Sequence, residues 1–115
     1  MLMGQIVGTV VSTHKDEGMT GFKLLIVQNL DLQMKLTSSY TVAVDAVGAG
    51  TGEIVIVVQG SSARLSESTK NKPVDAAVIC IVDTIEIDGR SIYSKAESEP
   101  GAASQLEMVR GGRAI

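Results

Sequence analysis

Large rings are almost missing from this chain. Phe22, Tyr40 and Tyr93 are its only aromatic residues, 3% of the sequence, and there is no Trp. A core must therefore be assembled from Val, Ile, Leu and Ala, and few side chains are left on which bases could stack. A cationic surplus is missing as well. Ten Lys and Arg stand against thirteen Asp and Glu, a net charge of -3, whereas a phosphate-binding surface shows itself as a basic excess. Nucleic acid is accordingly not expected as a partner. Cys80 is the single cysteine, so an intrachain disulfide is excluded, and its place in an apolar run suits a small hydrophobe in a reducing compartment. His14 is the single histidine, and with one distant Cys no set of zinc-ligand spacing can be drawn. Neither a metal nor a cofactor is expected. Apolar runs fall well short of a bilayer span. Met1-Leu2-Met3-Gly4 leads straight into a strand pattern, without the basic region and long apolar stretch of a signal peptide. The expectation is a soluble cytoplasmic protein with no membrane contact.

What is present is aliphatic and β-branched. Apolar residues make up 44% of 115, enough for one domain with a real core and no staples. Residues 5–13, 22–30, 40–47, 53–59 and 76–87 read as strands, the last being the longest. Asp16-Glu17-Gly18 reads as a turn and 31–35 as a polar connection. Residues 61–66 read as a short helical turn in which Ser62 caps the amides of Ala63, Arg64 and Leu65. Asp88-Gly89 between two extended runs is a hairpin signal, because both residues accept positive φ. Short strands at regular spacing indicate a mainly β fold, a small barrel or sandwich. Residues 1–94 form that domain, and 95–115 a polar tail with a helical pattern over 102–109, where Leu106 and Val109 share a face. Several strands are apolar at consecutive positions, as in Ile54-Val55-Ile56-Val57-Val58. Such a strand needs cover on both faces, and a second subunit is the expected cover.

The chemical candidates are few. Gly48-Ala49-Gly50-Thr51-Gly52 resembles a nucleotide loop superficially, but its third glycine comes one residue early, no Gly-Lys-Ser or Gly-Lys-Thr follows, and a strand rather than a helix comes next. Those glycines read better as backbone geometry. Asp45, Asp75 and Asp83 interrupt apolar segments. A shared-proton pair is one reading, yet Asp83-Thr84-Ile85 lacks the glycine of Asp-Thr-Gly. Accepting backbone amides at strand ends, or pairing with Arg64, is the favoured role. Three functions stay open on these residues: a structural assembly protein, a small barrel holding an anionic metabolite on the Gly60–Arg64 turn, and a small hydrolase using an Asp pair or His14.

A longer pattern runs through the chain: Gly4-x-Ile6-Val7-Gly8-Thr9-Val10, Gly21-x-Lys23-Leu24-Leu25-x-Val27-Gln28, Val44-Asp45-Ala46-Val47-Gly48-Ala49-Gly50-x-Gly52-Glu53, Gly60-Ser61-Ser62-Ala63-Arg64, and Pro73-Val74-Asp75-Ala76-Ala77 continuing to Asp83. In that order and spacing, over about residues 3–88, it resembles the EutN/CcmL family of bacterial microcompartment vertex proteins. The resemblance implies an OB-like β-barrel subunit that assembles into a pentamer and closes the vertices of a polyhedral shell beside hexameric shell proteins, without catalysis. It implies interface or axis roles for Asp45, Gly48, Gly50, Gly52, Glu53, Ser61, Ser62, Ala63, Arg64 and Asp83. Val11-Ser12 departs from the Trp-Ala that many relatives carry there, and the tail is longer than in many of them.

Overall fold

The computed structural model describes residues 1–13 and 15–96; the expectations for His14 and for a helix over 102–109 lie outside the described residues. The first strand, β1 (Leu2–Val10), is followed by a 3-10 turn at Glu17–Met19, then β2 (Leu24–Leu30), β3 (Leu36–Asp45) and β4 (Ile54–Gln59). A second 3-10 turn at Gly60–Arg64 precedes β5 (Ala76–Ile81), β6 (Thr84–Ile87) and β7 (Arg90–Ser94). Five strands close into a barrel in the order β1-β2-β3-β5-β4, and β6 and β7 form a separate two-stranded sheet. This is the OB-like barrel expected. Closure between β3 and β5 is parallel and short, with Val44 beside Ala77 and Asp45 beside Val78; the other barrel pairings are antiparallel.

The interior is aliphatic, as the scarcity of rings requires. Ile6, Leu25, Val27, Ala43, Val55, Val57 and Val78 form one buried cluster, joined by Ala49 from the loop between β3 and β4. Gly4 is small for a reason of space: a Cβ there would lie 2.5 Å from Val27 Cγ1 and 2.7 Å from the Gln28 carbonyl oxygen.

The outer faces answer the question of cover differently from the expectation. Alternate residues of β4 point away from the barrel interior, and Ile54 is buried there with Tyr93 of β7 and Met34, while Val58 is buried with Ala63 and Val74. The hairpin and the second 3-10 turn of the same chain cover Ile54 and Val58 at the two ends of this face, while Ile56 between them stays half-buried. Exposed apolar side chains stand elsewhere: Tyr40 (54%) and Val42 (52%) on β3, Val11 (88%) beyond β1, and Leu65 (83%) beyond the second turn.

Element boundaries moved where a pairing partner begins or ends. β1 covers Leu2–Val10 rather than 5–13, because Leu2 to Gln5 pair with β4 and Val10 meets Leu24 at the start of β2. β3 begins at Leu36, which pairs with Leu30 across an irregularity in the β2 register. The single strand expected over 76–87 is two. The Val82 amide still donates to the Ile54 carbonyl at 2.8 Å, but β4 offers nothing beyond Ile54, and the chain turns off at Asp83 into the second sheet. Asp88 (φ 52) and Gly89 (φ 74) make the hairpin turn with positive φ at both positions, as the dipeptide predicts.

Candidate functional site

The loop from Asp45 to Glu53 closes one end of the barrel, and two carboxylates hold it. Asp45 ends β3 and its Oδ1 accepts the amides of Val47 (3.0 Å), Gly48 (2.9 Å) and Ala49 (3.2 Å). This is the strand-end role expected of it. Gly48 takes φ 78 with open space around it, so conformation rather than room demands glycine there. The bend drives the Ala49 methyl into the barrel cluster, where it is 1% exposed. Outside, the Lys23 ammonium donates to the Ala49 carbonyl at 3.1 Å.

Glu53 holds the other end. Its Oε1 accepts the Gly50 amide at 2.6 Å, and its Oε2 accepts from the Lys95 ammonium at 2.5 Å. Burial pushes the Glu53 pKa upward, but the hydrogen bonds from Lys95 and Gly50 and the Lys95 charge outweigh it, and the carboxyl sits below its ordinary range despite the opposing charge of Asp45. The loop then joins β1: the Gly52 amide donates to the Ile6 carbonyl at 2.8 Å, the Ile6 amide to the Glu53 carbonyl at 3.0 Å, and Gln5 Nε2 to the Gly52 carbonyl at 3.2 Å.

These hydrogen bonds decide what the loop can do. A phosphate cradle needs amides turned outward toward its ligand. The amides of Gly48, Ala49, Gly50, Gly52 and Glu53 are all committed within the chain. The glycines serve a tight, internally satisfied cap.

The second candidate segment, Gly60–Arg64, is a 3-10 turn packed on β4 and β5. Gln59, not Ser62, stands at its cap, with no side-chain hydrogen bond. Ser62 lies inside the turn, where its carbonyl accepts the Leu65 amide at 3.2 Å. Ala63 is buried against Val58 and Val74, while Ser61, Ser62 and Arg64 are exposed. Arg64 does not pair with Asp45 within the subunit: Asp45 is satisfied by its own loop, and Arg64 Nη1 donates to the Val74 carbonyl at 2.9 Å. Asp83 is exposed at the break between β5 and β6, and its carbonyl accepts the Lys95 amide at 2.7 Å. The residues expected at the site thus fall into two structural groups, the barrel-end loop and the turn, with Asp83 joined to the first group through Lys95.

Sequence reasoning missed Lys95, Lys23 and Gln5. Gln5 left a trace, being an amide side chain in an apolar strand, and it is 2% exposed; Lys95 and Lys23 are ordinary surface residues in sequence, and only the fold brings them to the loop.

Comparison with known proteins agrees with this architecture. The family "Ethanolamine utilisation protein EutN/carboxysome" matches residues 1–83. The carboxysome shell vertex protein CcmL of Synechococcus elongatus is 45% identical over 97 residues, covering 84% of this chain and 98% of the relative. The solved structure of Gloeobacter violaceus CcmL superposes with a TM-score of 0.81 at 44% identity, covering 84% of this chain and 99% of that one. The GrpN pentameric microcompartment shell protein from Rhodospirillum rubrum gives 0.67 at 52% identity, over 76% of this chain and 98% of that one. Motifs, barrel order and these likenesses converge, and the chain belongs to the EutN/CcmL family.

Proposed function

We propose that this chain is a structural shell protein, without catalytic activity, that forms homopentameric rings at the vertices of a polyhedral bacterial microcompartment in the cytoplasm, including the carboxysome type. One observation carries the reading: the barrel matches, over nearly the whole length of its relatives, subunits named as shell vertex proteins, one of them pentameric. The mechanism is geometric. Sixfold shell proteins tile a flat sheet, and fivefold rings introduce the curvature that closes it. A cyclic ring needs two different faces on each subunit, one docking on the other's neighbour. The exposed apolar residues suit that demand, with Tyr40 and Val42 on β3 and Leu65 beyond the turn that packs on β4 and β5. Near those contacts or the fivefold axis we assign Asp45, Gly48, Gly50, Gly52 and Glu53 of the barrel-end loop, Ser61, Ser62, Ala63 and Arg64 of the turn, and Asp83. Hexameric shell proteins are the assigned neighbours, with nucleic acid and membrane disfavoured by the acidic charge and the scarcity of stacking surfaces.

An anionic-metabolite module on the Gly60–Arg64 turn has less support, since Arg64 already donates to Val74 and the turn is only five residues long. Native mass spectrometry of the purified chain tests the proposal: a species of five copies is expected, and a monomer or dimer at micromolar concentration would sink it. Electron microscopy of cells lacking the protein tests the role itself, with open or elongated shells expected and normally closed polyhedra contradicting it.

A further inference from the structure

Glu53 divides its two carboxylate oxygens between distant parts of the chain. One takes the Gly50 amide of the barrel-end loop, and the other takes the Lys95 ammonium just past β7. Lys95 is fixed through its backbone too, its amide donating to the carbonyl of Asp83 between β5 and β6. Lys95 directly follows the last residue of β7, Ser94. The loop is anchored firmly on its Asp45 side by three amides. Beyond it, Gly52 takes φ 92 with open space around it, a backbone with little steric preference of its own. Backbone and Gln5 hydrogen bonds tie Gly52 to β1, and the Glu53 amide donates to the Gly50 carbonyl, so within this half of the loop it is the Gly50 amide whose partner is the Glu53 side chain.

We propose that the Glu53–Lys95 pair is a latch that couples the Gly50 end of the barrel-end glycine loop to the end of the β6–β7 hairpin. The charged groups facing the Glu53 carboxylate are Lys95, which attracts it, and Asp45 at the end of β3, which repels it; a shift of either segment changes the balance felt by the other. The pair itself lies within one chain and needs no ring. On the ring reading, which puts the loop near subunit contacts or the axis, whatever touches the loop there is felt at the end of the β6–β7 hairpin, and that consequence rests on the ring reading.

Amide hydrogen exchange resolved by NMR on the full chain reads both ends. Lys95→Met removes the ammonium and keeps a similar stem. It should speed exchange of the Gly50 amide roughly two- to fivefold, the range set by a partly exposed ion pair, while amides inside β1 and β4 keep their rates. Glu53→Gln should speed the residue 95 amide likewise. A Gly50 amide unchanged by Lys95→Met overturns the latch. Should the barrel amides accelerate too, Lys95→Arg decides: restored Gly50 protection supports the latch, and failure to restore it overturns it. Native mass measured on the same samples separates the two readings, since a ring that persists without coupling removes the latch alone.

Discussion

Single carboxylates set the shape of this chain's most specific segment. One oxygen of Asp45 takes three successive amides, which no apolar side chain could replace, and the last of them belongs to Ala49, whose methyl is inside the barrel. Asp45→Ala is expected to cost about 2 kcal/mol, since it removes a charged acceptor and leaves the part-buried Ala49 amide without one. Asp45→Asn retains an acceptor oxygen and should cost less, about 1 kcal/mol. Urea unfolding checks this, with the midpoint falling in that order and the slope unchanged; equal losses for the two variants would show that charge, not amide capping, is what matters. Much of this was legible in sequence. An Asp followed by alternating glycines announces a capped turn, and the missing Lys removes the phosphate reading. Arg64 shows the limit. It was legible as a cation that could pair with acids in apolar segments, but its partner is a backbone carbonyl, and no side-chain pattern encodes a carbonyl's position.

Elements end here where their partners end, and that is why their boundaries were harder to read than their existence. Each barrel strand announced itself through β-branched residues, and Asp88-Gly89 gave the hairpin turn correctly. Nothing in the apolar run from Ala76 to Val82 says that β4 begins only at Ile54, so the break at Asp83 emerges only from pairing. The same blindness hid the cover of β4, because a hairpin of the same chain and a neighbouring subunit demand the same apolar residues. Where two elements meet, Glu53 at the head of β4 and Lys95 past β7 add an electrostatic tie with a definite pH sense. The Glu53 pKa is lowered in the folded chain, so its stabilisation is present above the ordinary carboxylate pKa and is lost as pH falls through the folded value. The stability gap between the native chain and Glu53→Gln should therefore be open at neutral pH, on the order of 0.2–1 kcal/mol, and close on acidification below about pH 4. Denaturation midpoints of both proteins across that range are the measurement. A gap that widens in acid would reverse the sign and contradict the ion pair.

For the whole molecule, shape and charge act together once copies assemble. A ring of five carries five times -3, about -15, and like charges on one small body repel one another and attract complementary surfaces over roughly 8 Å at physiological ionic strength. The contacts inside a ring can rest on apolar side chains such as Tyr40, Val42 and Leu65, whose burial is insensitive to moderate salt. On the proposed vertex role, contacts between a ring and hexameric neighbours have no such guarantee, and the chain's acidic balance would make them the salt-sensitive part. Raising salt should therefore separate two levels of assembly. Pentamer mass, followed by light scattering, is expected to hold or strengthen from about 0.05 M to 0.5 M salt, because screening relieves repulsion between like subunits. Binding of the ring to sheets of hexameric shell protein should weaken over the same range. Binding that stays constant while the ring also stays intact would mean that the vertex is seated by shape and apolar contact alone, and that the chain's acidic balance serves solubility rather than docking.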